Sequence, residues 1–477
     1  MNNNLKSDIL FVDLDGTVFK SDLLLESLIW LLRNNLRTLF FQVPFWLLKG
    51  KAYLKLQLSK SVVLNLKTQP INQQFSTYIK AEVAQGRRAI LISASHESLV
   101  REVSEELDIF IDAIGSDGVT NLKGKVKLQH ILHLCGSEPF SYAGNSKDDI
   151  PIWLAAKDVV CVNTNDNVVR EIREKTNSKI LEFDRPTGSW KSFRESLRPH
   201  QWMKNGLIFL PLVLSHQLSN WEAITNAFIG FISFCLVASA VYLLNDLLDI
   251  ENDRNHQTKI TRPFASGNLS LTAGFFTIPL LLAGFFLAHN LGNQFLETLL
   301  IYWLLTTFYS FFLKRFFLLD VFMLSVLYGF RIVAGSNAVH IETTNWLLTF
   351  TLFLFLGLAL LKRYVELTNQ RQLGKNHFVG RGYHIEDLRL VSFLGATSNL
   401  IAIFIFGFYI GASETAKLYD SPDILWVINL TISYLLLRVW RLAYHGKMQE
   451  DPVFFVLNDR ISQSALVMCG LLIWLAI

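Results

Sequence analysis

The second half of this 477-residue chain is a succession of long apolar segments separated by short polar breaks. From about Lys204 onward, most of these segments approach the roughly 20 residues that a helix needs to cross a bilayer. Because a bilayer offers no hydrogen bonds to the backbone, such segments must be helical. The sequence therefore predicts an all-α polytopic membrane domain over residues 205–477. We count nine candidate membrane helices, near 206–218, 224–244, 273–289, 294–313, 317–339, 345–361, 391–411, 424–441 and 459–477.

The basic residues of this half predict its orientation. If the N-terminal half is cytoplasmic, the loops near 245–272, 314–315, 362–390 and 442–458 are cytoplasmic too, and they carry twelve Lys and Arg residues. The loops on the opposite side, near 219–223, 290–293, 340–344 and 412–423, contain one basic residue, Lys417. Loops rich in Lys and Arg stay on the cytoplasmic side. We therefore expect a multi-pass protein of the cell (inner) membrane with a cytoplasmic N-terminal half.

Residues 1–185, which we call the head, alternate short apolar runs with helical segments. Runs typical of buried parallel strands occur at 9–12, 89–92, 141–143 and 159–162. This alternation predicts a Rossmann-like α/β domain. The apolar stretch Leu23–Leu54 predicts a small helical cap over about 20–85, which either packs on the head or contacts the bilayer. Residues 186–204 are predicted to be a linker and interfacial segment.

Charge and cysteine content argue against nucleic-acid binding and against a zinc site or a disulfide framework. The net charge is only +4, so nucleic acid is not an expected partner. The four cysteines are far apart and form no CxxC pair, which argues against a zinc site or a disulfide framework.

Two carboxylates follow the first apolar run of the head. Asp13 and Asp15 lie in ILFVDLDGTVF, directly after a predicted buried strand. In open α/β sheets, ligands gather at the carboxyl ends of the strands. Two carboxylates at this place can share a hard cation, while one attacks phosphorus and the other transfers a proton.

This pattern resembles the haloacid-dehalogenase-like (HAD) phosphatase superfamily over about residues 7–180. The resemblance implies that Asp13 is the nucleophile and Asp15 the general acid/base. It also implies that Ser93, at the end of a strand, contacts the phosphoryl group and that Lys127 neutralises its charge. The alternatives for the last two roles are Ser95 and Lys125.

The fourth motif of that superfamily supplies acidic ligands for magnesium. The segment AGNSKDDIPIW matches it at Gly144, Ser146 and Asp149, but Asn145 stands where an aspartate is usual. An amide oxygen ligates magnesium without contributing charge, so the ion is expected to bind more weakly. Two alternatives follow: an active phosphatase, or a retained fold with reduced activity or a regulatory role.

The segment YLLNDLLDIENDRNHQTKITRPFASGNLS is the most informative part of the membrane half, and we call residues 245–272 the Asp loop. Asp246, Asp249 and Asp253 are spaced i, i+3 and i+7, so they share one helix face. Carboxylates at the end of a membrane helix need partners, and magnesium bound to a diphosphate is suitable. Further predicted ligand contacts in this loop are Asn245, Lys259 and Arg262.

This motif resembles the UbiA prenyltransferase superfamily over roughly residues 195–477, which implies nine spans and magnesium-bound diphosphate. Segments such as RPHQWMKNGLIFLPLVLS resemble its decaprenyl-phosphate phosphoribosyltransferase branch. Where a second Asp-rich motif is usual, this chain has Lys362, Arg363 and Glu366. Basic residues there suit a donor with an extra phosphate, such as phosphoribosyl diphosphate.

Arg331 lies inside the apolar run LSVLYGFRIVAG, where an isolated charge is costly. We expect it to face a central cavity and a phosphate, with pairing to a structural acid as the alternative. The remaining predicted substrate-binding residues are Arg198, Lys204, Tyr309 and Lys314.

Together these features predict a magnesium-dependent membrane enzyme. It would transfer phosphoribose from phosphoribosyl diphosphate to a polyprenyl phosphate with catalytic help from Asp246 and Asp249. The head would then remove the 5-phosphate, giving polyprenylphosphoryl ribose for envelope glycans. One alternative is a UbiA prenyltransferase that attaches a polyprenyl chain to an aromatic acceptor in quinone synthesis; another is a non-enzymatic lipid-phosphate binder. Whether the chain forms a homo-oligomer stays open. The predicted magnesium ligands are Asp13, Asp15, Asn145, Asp149, Asp246, Asp249 and Asp253.

Overall fold

The computed structural model describes residues 8–184, 189–256, 258–372, 382–448 and 451–477. It divides into two compact units. The first unit comprises Met1–Leu197 together with Leu243–Phe275, and the second comprises Arg198–Tyr242 together with Phe276–Ile477. The domain boundaries proposed above stay a prediction, and residues 186–188 of the predicted linker lie outside the described residues.

A six-stranded parallel sheet forms the centre of the head. Its strands are β1 (Ile9–Val12), β2 (Ala89–His96), β3 (Asp112–Ser116), β4 (Phe140–Gly144), β5 (Asp158–Val162) and β6 (Lys179–Phe183). Their order in the sheet is β3-β2-β1-β4-β5-β6. Since the chain order reverses beside β1, the carboxyl end of β1 lies at the switch point where open α/β sheets bind ligands.

Alternating side chains of β1 pack into separate cores on the two faces of the sheet. Leu10 and Val12 join one buried cluster, whereas Phe11 joins the other with Tyr142 and Trp153. Strands buried on both faces read as continuous apolar runs. The helices of the head are Leu23–Asn34, Thr38–Gln42 (a π-helix), Val43–Leu48, Lys51–Ser61, Gln73–Ala84, Glu97–Leu107, Lys125–Cys135, Ile150–Ala155, Asp166–Lys175 and Ser189–Ser196.

The cap consists of the helices between β1 and β2. It has a small core of its own, formed by Leu31, Trp46 and other apolar residues. The segment Thr38–Leu48 nevertheless exposes large apolar side chains, including Phe41 and Leu48, which are 77% and 87% exposed. Exposed apolar patches of this kind mark interaction surfaces, so the bilayer-contact alternative for the cap is the one this surface favours.

The C-terminal part of the chain is all-helical. Its helices, with those of the Asp loop, are Pro199–Phe209 (3-10), Leu210–Leu214, Trp221–Leu248, Ile250–Arg254, Lys259–Thr261 (3-10), Leu271–Phe276 (3-10), Thr277–His289, Asn293–Phe311, Leu313–Arg315 (3-10), Leu319–Ala338, Asn345–Gln372, Ile385–Asp387 (3-10), Leu388–Ile410, Ser413–Leu418, Ile424–Tyr444, Pro452–Asn458 and Arg460–Ala476.

The predicted fold class requires two corrections. The prediction of nine membrane spans is wrong, because within the described residues six helices are long and apolar enough to cross a bilayer, or seven if one bent pair counts as a span. The assignment of the head to the HAD class also does not follow from its fold, since parallel α/β sheets are shared by many unrelated families. Within its described residues, the structure has a parallel α/β head followed by helices, of which six, or seven with the bent pair, are candidate membrane spans.

Three of the predicted spans account for the overcount. The stretch 206–218 forms a 3-10 helix and a five-residue helix, with prolines at the start of each, where proline begins a helix but cannot continue one. Helix Asn293–Phe311 carries polar side chains along its length and is not among the six. Helix Arg460–Ala476 qualifies only together with Pro452–Asn458, from which it bends by 80°.

Candidate functional site

Asp13 follows the last residue of β1 and contacts Lys127. The Asp13 backbone N–H donates to the carbonyl oxygen of Ala143 at 2.9 Å, which fixes the chain at the sheet edge. Lys127 Nζ donates to Asp13 Oδ1 at 2.8 Å and to the Tyr142 hydroxyl at 3.1 Å. Burial raises the pKa of Asp13 to about 7, a rise that Lys127 opposes and the nearby Asp149 reinforces. The structure therefore brings the predicted nucleophile and the predicted basic residue together.

Asp15 is held by hydrogen bonds on both carboxylate oxygens. Its Oδ1 accepts from the backbone N–H of Leu23 at 2.8 Å. Its Oδ2 accepts from Ser95 Oγ at 2.7 Å and from Ser93 Oγ at 3.3 Å. Burial raises the pKa of Asp15 to about 6, which suits a group that exchanges protons near neutrality. Ser95, the alternative to Ser93, makes the shorter contact.

Asp149 closes the turn that follows β4. Its Oδ2 accepts from the backbone N–H of Asn145 and Ser146, at 3.2 and 3.1 Å, and its Oδ1 accepts from the Tyr142 hydroxyl at 2.8 Å. The turn places the Asn145 amide against Gly16. A Cβ on Gly16 would lie 1.8 Å from Asn145 Nδ2, and the φ of Gly16 is +79°, so this position requires glycine.

The donor chemistry of this edge fits a hard cation. Asp13, Asp15 and Asp149 are near one another, and Lys127 makes the described ion pair with Asp13. The excess of buried carboxylate leaves negative charge that magnesium would balance, with the Asn145 amide as a further oxygen ligand. Among the described residues no three His, Cys, Asp or Glu side chains converge on one metal position. Amide and backbone oxygens would therefore complete the coordination.

Lys55 and Tyr142 also belong to this site, although the sequence did not single them out. Lys55, from the cap helix Lys51–Ser61, donates to the carbonyl oxygen of Ala94 at 2.6 Å and to Asn121 Oδ1 at 2.9 Å. Burial lowers its pKa, against the attraction of Asp15. A lysine in a helix with several lysines and a tyrosine in a strand carry no spacing signal, so the sequence does not indicate their part in the site.

In the Asp loop, Arg262 joins two of the predicted aspartates. Its Nη1 donates to Asp253 Oδ2 at 2.6 Å and to Asp246 Oδ1 at 3.2 Å. Both carboxylates are 3% exposed. Burial raises the pKa of Asp253, which Arg262 opposes and Asp246 reinforces. Because Arg262 is shared by two buried carboxylates, this group also fits a divalent cation through its oxygen ligands.

The other predicted residues of the Asp loop lie close by in the chain. The backbone N–H of Asp249 donates to the carbonyl oxygen of Asn245 at 2.9 Å, at the junction of helices Trp221–Leu248 and Ile250–Arg254. Lys259 begins a 3-10 turn and acts electrostatically on Asp253.

A basic cluster forms around Asp451 in the second unit. Lys204 Nζ and Lys362 Nζ both donate to Asp451 Oδ2, at 2.9 and 2.8 Å. The two lysines hold the pKa of Asp451 well below its usual range, although burial alone would raise it. Burial lowers the pKa of His200, and the charges of Arg198 and Lys204 lower it further. The cationic groups outnumber this carboxylate, so the cluster is suited to binding an anion. Asp451 was not predicted from the sequence.

Arg331 is buried among neutral groups. Its guanidinium donates to Asn205 Oδ1 at 2.9 Å, to the Leu327 carbonyl oxygen at 2.6 Å and to the Tyr302 hydroxyl at 2.9 Å. It also stacks over the rings of Tyr302 and Tyr328, at 5.1 and 5.2 Å. None of these described contacts is to a carboxylate, so they do not support the alternative that Arg331 pairs with a structural acid.

Arg363 is instead bound by acidic residues. Its Nε donates to Asp320 Oδ2 at 2.7 Å, and its Nη1 pairs with Glu366. The Tyr383 hydroxyl donates to the other oxygen of Asp320. Two further predicted residues lie nearby in sequence: Tyr309, within electrostatic range of Arg363 and Lys362, and Lys314, in the short 3-10 turn Leu313–Arg315.

Comparison with known proteins gives both a family and relatives. The model of the UbiA prenyltransferase family matches residues 207–462. The uncharacterized protein y4nM of Sinorhizobium fredii is 36% identical over 95% of this chain and 88% of its own length, a match long enough to include both the head and the helical part. The nodulation protein NoeC of Azorhizobium caulinodans is 33% identical, over 56% of this chain and 87% of its own length.

A third relative carries a name that describes an activity. The decaprenyl-phosphate phosphoribosyltransferase of Mycolicibacterium smegmatis is 29% identical, over 56% of this chain and 87% of its own length. The family model covers more than half of the chain, and six candidate spans lie within the described residues. The chain therefore belongs to the UbiA prenyltransferase family and is a multi-pass membrane transferase with homology to decaprenyl-phosphate phosphoribosyltransferases.

Proposed function

We propose that the chain transfers the 5-phosphoribosyl group of phosphoribosyl diphosphate to a polyprenyl phosphate and then removes the 5-phosphate. The first product is polyprenylphosphoryl ribose 5-phosphate with release of pyrophosphate. The second is polyprenylphosphoryl ribose with release of inorganic phosphate. A relative named for phosphoribosyl transfer to decaprenyl phosphate supports the first step, and the Asp13 site in the head supports the second.

The observation that carries the choice of donor is the basic cluster around Asp451. A plain prenyl diphosphate presents one diphosphate, whereas phosphoribosyl diphosphate presents a diphosphate and a separate phosphate monoester. Lys204 and Lys362 converge on one carboxylate, with Arg198 adding positive charge nearby. Ammonium and guanidinium groups bind phosphate oxygens by charge-assisted hydrogen bonds. The cluster supports binding of that additional phosphate.

Transfer requires the donor carbon to lose pyrophosphate. The bond between the ribosyl C1 and the diphosphate oxygen breaks, and the leaving pyrophosphate takes the electron pair. A phosphate oxygen of the polyprenyl phosphate then forms the new bond to C1. Magnesium bound by Asp246 and Asp249 would supply positive charge to the leaving diphosphate. Arg262, now shared by Asp246 and Asp253, is the residue that would move to a diphosphate oxygen.

Dephosphorylation requires two proton transfers at Asp15. The Asp13 carboxylate attacks phosphorus, the bond from phosphorus to the ribose O5 breaks, and O5 takes a proton from Asp15. Water then attacks the aspartyl-phosphate as Asp15 takes a proton back. Lys127, 2.8 Å from Asp13, neutralises charge on the transferring group. Asn145 and Asp13 are the head residues that would hold magnesium.

The transfer step is tested with the full-length chain in lipid nanodiscs. Pyrophosphate release is measured from phosphoribosyl diphosphate with and without polyprenyl phosphate. We expect release that depends on the lipid in the wild type and is lost in Asp246→Asn. Glu251→Gln is the control, because this carboxylate lies in the same loop but contacts Arg33 instead. No lipid-dependent release, together with transfer of a prenyl group from prenyl diphosphate to an aromatic acid, would refute the proposal.

A further inference from the structure

The phosphate site of the head opens into a cavity of about 260 Å³ whose walls come from two distant parts of the chain. One wall belongs to the head and includes Asp15, Lys20 and Asn145. The other wall comes from the end of the Asp loop and includes Phe264, Ser270 and Thr272. Both walls belong to the same compact unit, which joins Leu243–Phe275 to the head.

A buried ion pair anchors the Asp loop to the head. The Arg254 guanidinium donates to both carboxylate oxygens of Glu26, at 2.6 and 3.1 Å, and to Gln69 Oε1 at 3.2 Å. Gln69 Oε1 also accepts from Ser21 Oγ at 2.9 Å, and Ser21 lines the cavity. The side chains of Arg254 and Glu26 are 3% and 4% exposed. The cavity wall is therefore attached to the head through a contact that is almost entirely shielded from solvent.

The approach of the loop to the head is close enough to require glycine. Gly267 has a φ of +71°, and a Cβ there would lie 2.7 Å from Lys20 Cβ and 3.0 Å from Pro70 Cγ. Lys20 Nζ also donates to Asn268 Oδ1 at 3.5 Å. Phe264 and Leu269 are buried on either side of this point. The loop thus has a defined position at the mouth of the site.

We propose that residues 264–272 of the Asp loop form the substrate-recognition wall of the head, and that this wall selects a phosphorylated pentose. The inference rests on the proposed phosphatase role of Asp13 and extends it to substrate choice. Thr272, with Ser270 beside it, contacts the sugar hydroxyls while the phosphate lies at Asp13. A segment of the membrane transferase would in this way determine what the head dephosphorylates.

The chemistry and size of the cavity suit a sugar. The hydroxyls of Ser270 and Thr272 are 2.8 Å apart and both side chains are exposed to the cavity side of the loop. With Lys20, Asp22 and Asn163 they supply donors and acceptors of the kind that bind polyols. A cavity of about 260 Å³ has room for a small polar group such as a phosphorylated pentose.

The test compares two soluble phosphate compounds, a sugar phosphate ester and an acyl phosphate, with the full-length chain in nanodiscs. Ribose 5-phosphate has the sugar and acetyl phosphate lacks it. Thr272→Val removes the hydroxyl with little change in volume, and we expect it to raise KM for ribose 5-phosphate about two- to tenfold. Its kcat and the hydrolysis of acetyl phosphate should stay as in the wild type. Thr272→Trp, which fills the cavity, should raise that KM further.

Thr261→Val is the matched control, because Thr261 lies in the same loop but its hydroxyl donates to the Thr258 carbonyl oxygen outside the cavity. It should leave the hydrolysis of both compounds unaffected. Equal effects of the Thr272 variants on the hydrolysis of both compounds, or no effect of Thr272→Trp, would contradict the proposed recognition wall. The phosphatase role is scored separately by Asp13→Asn: if that variant still hydrolyses acetyl phosphate like the wild type, the proposed chemistry of Asp13 fails.

Discussion

Replacing Glu26 with glutamine is expected to loosen the Asp loop from the head. The Glu26–Arg254 pair is nearly free of solvent contact, with side chains 4% and 3% exposed and two charge-assisted hydrogen bonds. Removing one partner of a buried pair leaves an uncompensated charge and costs about 3–5 kcal/mol. Glutamine keeps the shape and can still accept one hydrogen bond, so we expect the lower end, about 3 kcal/mol.

Hydrogen exchange measures this change at the loop itself. The backbone N–H groups of Ser266 and Leu269 donate within the loop, to the carbonyl oxygens of Arg262 and Pro263. A loss of about 3 kcal/mol corresponds to roughly hundredfold faster exchange if these groups exchange by local opening. In a double-mutant cycle with Arg254→Met, the double variant should be more protected than the sum of the two single effects predicts, because neither charge is then left unpaired.

The control for this cycle is Glu251→Gln. Glu251 lies on the same short helix as Arg254, but its contact with Arg33 is 3.4 Å long and its side chain is 43% exposed. An exposed pair contributes about 1 kcal/mol or less, so exchange in the loop should change little. Unchanged exchange in Glu26→Gln, or single effects that simply add in the double variant, would refute the buried-anchor reasoning.

Three further predictions concern the head, the basic cluster and the cap. Asn145→Asp adds a charged oxygen ligand, so phosphate release should reach half-maximum at a lower magnesium concentration; an unchanged magnesium titration contradicts this. Lys362→Met removes one of two lysines from Asp451 and should raise KM for phosphoribosyl diphosphate about tenfold, whereas Lys417→Met, on an exposed helix end, should not. A spin label at Phe41→Cys should collide with lipid-soluble oxygen more than one at Ile111→Cys, which is also exposed; equal accessibility argues against bilayer contact by the cap.

Sequence reasoning works well for the centre of the head because the rules there are local. Continuous apolar runs predict parallel strands, and carboxyl ends of such strands meet at one edge. Those two rules are enough to expect Asp13 beside the carboxyl ends of β2 and β4. The structure places Ser95 near the end of β2, where it donates to Asp15, and Asp149 after β4, within electrostatic range of Asp13. The contact of Lys127 with Asp13 came from a family resemblance, since nothing in the spacing of the two residues indicates it.

The count of membrane spans fails because hydropathy does not register helix continuity. The stretch 206–218 is apolar, yet it consists of the end of the 3-10 helix Pro199–Phe209 and the short helix Leu210–Leu214, each with a proline in its first turn. The C-terminal stretch 459–477 forms one 17-residue helix, which qualifies as a span only together with Pro452–Asn458, from which it bends by 80°. Apolar composition is therefore necessary for a span but not sufficient. The length and direction of a helix also depend on where the backbone breaks, which a hydropathy average does not report.

Long-range pairing is the other part that the sequence does not contain. In the sequence, Arg254 has the appearance of an ordinary basic residue in a polar loop, and Glu26 that of a polar residue in an apolar helix. They are 228 positions apart and form a buried pair. The same holds for Asp451, which binds Lys204 and Lys362 across 247 and 89 positions. No periodicity or motif relates such residues, because their proximity depends on tertiary packing.

The most direct test of the two-step reaction follows two labels of phosphoribosyl diphosphate, one isotope in the ribose carbons and another in the 5-phosphate. Full-length chain in nanodiscs is incubated with this donor and polyprenyl phosphate, and the lipid fraction is counted for both isotopes. We predict ribose label without 5-phosphate label in wild-type lipid, and both labels in equal amounts with Asp13→Asn. Absence of ribose label from the lipid would contradict phosphoribosyl transfer, and retention of both labels by the wild type would contradict dephosphorylation by the head.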